Sequence, residues 1–145
     1  MFSRSAKRAQ FYVINDDGSK ELRHTIEMRN DTVGPTGSDP YGHLGPCPPG
    51  DYLLGEPVAM NTIPYGHWFT PLIDVNSIWP AHEGRNYIGI HGGGSGLPDS
   101  FAPQQGWMIT EGCCRVQNAD NDGIVVPYVQ TIKLHGGRIT FTVCP

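Results

Sequence analysis

A chain of 145 residues with 38% hydrophobic and only 17% charged residues is long enough to bury one sizeable core. A net charge of −4 argues against the basic face that phosphate neutralisation needs, so nucleic acid is not an expected partner. The 19 glycines and 13 prolines favour short strands and turns over long helices, and no apolar run reaches the length of a membrane span.

The first eight residues, Met1 to Arg8, are basic, but no apolar stretch with a small-residue cleavage site follows them, so no secretory signal is expected. Gln10 to Ile14 is rich in aromatic and β-branched residues and reads as a strand. Asn15-Asp16-Asp17-Gly18-Ser19 is a turn signal, and Leu22 to Met28 alternates apolar and polar, so it returns as the second arm of a hairpin. A Gly/Pro-rich stretch over residues 30–50 leads to Tyr52-Leu53-Leu54, the start of a short strand. Trp68 to Val75 predicts a strand broken by Pro71, and Tyr87 to His91 a short buried one. A glycine-rich loop from Gly92 to Gln105 follows, and Trp107-Met108-Ile109 leads into a turn at Cys113. Asp120-Asn121-Asp122-Gly123 is suited to cap a short helix over Ile124 to Thr131, with Pro127 limiting its regularity. Ile132-Lys133-Leu134, a Gly136-Gly137 turn and Arg138 to Val143 predict a closing hairpin. These elements predict a compact, mainly β single domain over residues 1–145, with one or two short helices.

The chemistry concentrates at Thr110-Glu111-Gly112-Cys113-Cys114-Arg115 and at His91-Gly92-Gly93-Gly94. A thiol directly after a glycine can sit on a tight turn beside exposed backbone N–H groups, and a histidine at the end of a separate apolar strand can take its proton. These are the nucleophile, base and oxyanion donors of a cysteine acyl-transfer site. A lone Cys113 would be read as a buried structural cysteine. Gly112, Thr110, Glu111 and the upstream His91 shift the reading to catalysis, whereas Cys114, pointing the other way, is expected in the core. Gly92 and Gly93 leave space beside the imidazole for a substrate, and Trp107 is a candidate contact. Tyr41 and His43 are weaker candidates for the cleft, while Trp68 and Trp79 are expected in the core.

Other readings fall away on the residues. His-Gly-Gly-Gly resembles the oxyanion element of lipases and esterases, yet no G-x-S-x-G elbow follows. Asn118-x-Asp120-x-Asp122-Gly123 resembles the front of an EF-hand loop, but Val129 stands where the bidentate glutamate is needed. There is no C-x-x-C pair for zinc, and His24, His43, His67, His82 and His135 lack metal-ligand spacing, so no metal is expected. Four cysteines are too few for a disulfide scaffold; Cys47 and Cys144 are the one pair considered for a bridge, with free thiols the favoured state.

At these residues the chain resembles the YkuD-type L,D-transpeptidases. That family carries a histidine-glycine strand end, a loop, and a Ser/Thr-His-Gly-Cys-apolar-Arg block, here His91-Gly92 and Thr110 to Arg115. The resemblance extends back to Gly45-Pro46-Cys47-Pro48-Pro49-Gly50-Asp51-Tyr52. Glu111 stands where the main family has a supporting histidine. That departure resembles a small branch of antibacterial effectors delivered by type VI secretion, which lack signal peptides. The resemblance implies a β-sandwich or barrel-like catalytic fold without a cofactor, and peptidoglycan stem peptides as substrate. It further implies an immunity protein or secretion machinery as partners, synthesis in the bacterial cytoplasm, and action in the periplasm or cell wall. Cys113, held as a thiolate by His91, would attack the third stem residue, with Arg115 orienting the turn or binding a stem carboxylate. A catalytically silent wall-binding module or a phage structural domain is the reading from another class.

Overall fold

The computed structural model describes residues 1–32, 46–74 and 88–145. Tyr41, His43, Trp79 and His82 lie outside the described residues, as does Gly45 at the start of the proline-rich motif. The strands are β1 (Phe2–Ser3), β2 (Arg8–Ile14), β3 (Lys20–Glu27), β4 (Gly50–Leu54), β5 (Val58–Thr62), β6 (Gly66–Asp74), β7 (Gly89–His91), β8 (Cys114–Arg115) and β9 (Thr140–Cys144). They form one mixed sheet in the order β3-β2-β1-β9-β4-β6-β7-β8, with β5 paired to β6. Just past β3, Arg29 exchanges backbone hydrogen bonds of 2.9 and 2.7 Å with Arg115 of β8. That isolated bridge brings the two ends of the open sheet together and carries the N-terminal hairpin to the Cys113 turn.

Alternation builds the core. On β9, Phe141 and Val143 turn inward while Thr140, Thr142 and Cys144 face the other way; on β4, Tyr52 and Leu54 do the same. With Phe2, Phe11, Ile26, Met28, Ile90 and Cys114 they form one cluster. Burial of each large side chain contributes about 1.5–3 kcal/mol. Val125 and Val129 close the cluster from a helical segment, and Tyr128 donates its hydroxyl to the Tyr12 carbonyl at 2.8 Å.

Four features differ from the sequence expectations. Short strands β1 and β5 carry too few residues to show a pattern. Pro71 does not break its strand. It pairs with Gly89, and its missing N–H falls towards β4 where that strand ends at Leu54, so no ladder bond is lost there. The helical segment starts earlier, as α1 (Asn118–Asp120), a π-helical turn (Asn121–Val125) and α2 (Val126–Leu134). The Asp120-Asn121-Asp122-Gly123 signal therefore lies inside it. The opening N–H groups are capped from the preceding loop instead: Asn118 N donates to Gln105 Oε1 at 2.7 Å and Ala119 N to Pro103 O at 2.9 Å. Finally, Ile132-Lys133-Leu134 ends α2 and makes no hairpin arm; only β9 remains of that prediction.

Candidate active site

β6, β7 and β8 lie side by side, with Phe69 opposite His91 and His91 opposite Arg115. Residues directly opposite share a face of the sheet, and neighbours along a strand alternate. Phe69, His91 and Arg115 therefore form one row on one face. Thr70, Ile90 and Cys114 form the adjacent row on the opposite face, and all three are 0% exposed. Cys113 directly precedes β8, is half-buried, and lies near enough to the Arg115 guanidinium to act on its charge. The two vicinal thiols thus differ: Cys113 is half-buried near Arg115, and Cys114 is in the core. The Cys114 thiol is pushed well above its ordinary range, first by a hydrogen bond with the Cys47 thiol and then by burial.

His91 is 3% exposed, with Tyr65 edge-on at 5.0 Å and the Phe69 ring stacked at 6.0 Å between centroids. Gly89 gives the Phe69 ring its place, since a Cβ there would strike it. The Gly92 carbonyl can only accept, so the 2.6 Å contact assigns the proton to Nδ1 and leaves Nε2 as a lone-pair acceptor. Burial lowers the His91 pKa to about 4, with the Arg115 charge adding to the effect against the Gly92 hydrogen bond. The imidazole is therefore neutral at pH 7. A resting imidazolium holding a thiolate, as the sequence reading had it, is replaced by a neutral base.

Arg115 supplies the positive charge. It is buried, and burial lowers its pKa while a Cys113 thiolate raises it again. That attraction is mutual, so a thiolate formed at Cys113 has a cation beside it. Arg115 Nη1 also donates to the Gly93 carbonyl. Among the described residues no carboxylate pairs with it.

The turn carrying Cys113 is fixed by residues distant in sequence. Gly112 has φ +123°, a conformation L side chains rarely adopt. Thr110 Oγ1 donates to the Cys113 carbonyl at 2.8 Å and accepts from Gly112 N at 3.4 Å. Buried Asn30 donates through Nδ2 to the carbonyls of Gly112 and Cys113, both at 2.8 Å, and accepts from Cys47 N at 2.6 Å. One carboxamide thus clamps the nucleophile turn to the proline-rich segment.

The loop after His91 is held in the same way. Asn118 Oδ1 accepts from Gly93 N at 2.9 Å, and its Nδ2 donates to the carbonyls of Ser100 and Ala102 at 2.8 Å. A Cβ at Gly92 would collide with that Oδ1. Gln105 Nε2 donates to Val116 O at 2.9 Å, and Gln117 bonds both the N–H and the carbonyl of Gly106 at 3.0 Å. Gly92 and Gly93 are buried within this support.

Glu111 is exposed at the turn. Trp107 is half-buried, with the Arg29 guanidinium 4.3 Å from its ring centroid. His91 and Arg115 are cross-strand neighbours, Cys113 lies near Arg115, and Gly112 and Thr110 shape the turn that carries Cys113; Asn30, Asn118, Gln105, Tyr65 and Phe69 join them. Apart from Asn118, which stood in the EF-hand-like run, the sequence signal of these five was polarity or aromaticity alone.

No protein-family model and no curated protein matches the sequence. Solved structures do. The chain is similar to the helical cell shape determining protein Pgp2 from Campylobacter jejuni, with a TM-score of 0.66 at 18% identity over 98% of this chain and 45% of that one. It is also similar to Bd1075 from Bdellovibrio bacteriovorus, with a TM-score of 0.55 at 16% identity over 86% of this chain and 41% of that one. The likeness is one of fold, and the chain spans less than half the length of either protein.

Proposed function

We propose that residues 1–145 act as one catalytic domain that performs cysteine-dependent acyl transfer on peptidoglycan stem peptides. The observation that carries this reading is Arg115, which lies opposite His91 in the sheet and near Cys113, with Cys114 buried in the core. The YkuD-type motif supports the substrate class, and so does the fold shared with a protein that determines bacterial cell shape, a property set by the wall.

In the proposed reaction His91 Nε2 takes the Cys113 proton, and Arg115 stabilises the resulting thiolate. The sulfur attacks the carbonyl carbon of the third stem residue, a diamino acid. Backbone N–H groups of the Gly112–Cys113 turn hold the oxyanion, where loss of one donor typically costs about 3 kcal/mol. His91 returns its proton to the departing D-Ala amine as the C–N bond breaks, leaving a thioester. An amine or water then takes the acyl group and Cys113 recovers its proton. The exposed carboxylate of Glu111 beside the thioester disfavours acidic acceptors and favours water or small D-amino acids. Action is in the periplasm or cell wall, and the Thr-Glu-Gly-Cys variant fits an antibacterial effector with an immunity partner.

Purified protein incubated with tetrapeptide-bearing muropeptides should yield tripeptide or exchanged products by mass spectrometry. Cys113→Ser should yield none, and Cys114→Ala should retain them. Products from Cys113→Ser, or none from the folded wild type, would overturn the reading in favour of another nucleophile or a silent wall-binding module.

A further inference from the structure

The mechanism leaves three thiols unused, Cys47, Cys114 and Cys144, and two of them are neighbours in the core. Cys47 and Cys114 are both 0% exposed within the same core cluster. The Cys47 thiol is the neighbour that raises the Cys114 pKa most, and Cys47 Sγ is also 3.8 Å from the Pro48 carbonyl. The backbones that carry them are already drawn together, because the one Asn30 side chain bonds Cys47 N, Gly112 O and Cys113 O. The alternative partner faces away: Cys144 lies on the side of β9 opposite the core residues Phe141 and Val143.

From this geometry we infer that Cys47 and Cys114 are a disulfide site, a staple that fastens the proline-rich segment to the strand behind the nucleophile. The bond would form by thiol–disulfide exchange with a small-molecule disulfide such as oxidised glutathione. One protein thiolate displaces a glutathione thiolate to give a mixed disulfide. The second protein thiolate then displaces the other glutathione, so two protein thiols and one oxidised glutathione become one protein disulfide and two reduced glutathiones. Bond formation draws the two sulfurs to the S–S length of about 2.05 Å. Because both sulfurs are buried, exchange requires a transient opening and is expected during folding in an oxidising compartment. Cys113, half-buried and outside the core pair, stays a thiol.

The closed loop would run from residue 47 to residue 114, nearly half of the chain, and a loop of that length removes much entropy from the unfolded state. The oxidised form should melt on the order of 10 °C above the reduced one. The test is to refold the full chain from urea in a glutathione redox buffer, alkylate free thiols, and digest without reduction. A peptide containing Cys47 should be found linked to the peptide containing Cys113 and Cys114. The link should persist in Cys113→Ala, which separates the two vicinal cysteines without disturbing the core thiol. Recovery of Cys47 and Cys114 as alkylated thiols from folded protein would overturn the inference. So would a link from Cys47 to Cys113 or Cys144, or loss of the link in folded Cys113→Ala. None of these readouts depends on enzymatic activity, so failure here is distinct from failure of the proposed reaction.

Discussion

Replacing His91 by asparagine should alter how stability depends on pH, and the size of the effect follows from burial. In the folded protein the His91 pKa is lowered from 6.5 to about 4. Between those values the unfolded chain binds a proton that the folded chain refuses. Stability therefore rises with pH across the window: the contribution is present above about 6.5 and is lost as pH falls towards 4. At about 1.36 kcal/mol per unit, the full difference is about 3 kcal/mol, of which roughly 2 kcal/mol is lost between pH 7 and pH 4.5. Asparagine does not titrate there, and its amide can still donate to the Gly92 carbonyl as Nδ1 does. Urea unfolding of both proteins at pH 7 and pH 4.5 isolates the effect, because the carboxylates contribute equally to each. Wild type should lose about 2 kcal/mol more than His91→Asn on acidification. Equal losses would mean that His91 titrates as in water and that its burial has been misjudged. The same pKa sets the acid limb of the reaction: kcat/KM should fall with pH around 4, where the base becomes protonated, and a limb near 6.5 would refute the neutral buried imidazole.

Two further predictions concern the turn. Asn30→Ala removes three hydrogen bonds from buried or half-buried backbone groups and should cost roughly 3 kcal/mol by urea unfolding; a loss under about 1 kcal/mol would show that the clamp is dispensable. Glu111→His should raise the share of cross-linked over hydrolysed muropeptide product, and an unchanged ratio would remove Glu111 from acceptor choice.

The turn at Cys113 and the burial of Cys114 were legible because glycine and a period-two strand act locally. Gly112 marks a backbone conformation open to glycine, and Cys114, opposite Ile90, enters the core. The first hairpin was legible for the same reason, despite a register shift between Phe11 and Tyr12. The Asn30 clamp was not. It joins residues more than 80 positions apart through one carboxamide, and nothing near Asn30 in the sequence announces its partners. The helix start was misplaced on similar grounds: the local turn signal at Asp120 to Gly123 loses to caps that Gln105 and Pro103 supply from the loop. Arg115 was read as a residue that orients the turn or binds a stem carboxylate. Its burial beside Cys113 arises from the β7–β8 pairing, which no local spacing encodes.

The loop from Gly92 to Gly106 is fastened largely by amides. Asn118, Gln105 and Gln117 make most of its side-chain bonds to backbone, the Arg115 guanidinium on the Gly93 carbonyl and the Asp99 carboxylate on Phe101 N being the charged exceptions, and among the described residues no ion pair touches it. Neutral hydrogen bonds in a buried setting are not screened by mobile ions and do not titrate. The covering over the catalytic face should therefore hold its shape in concentrated salt and in alkali alike. Acid is different, because burial opposes the charge that a second proton would place on the imidazole beneath that covering.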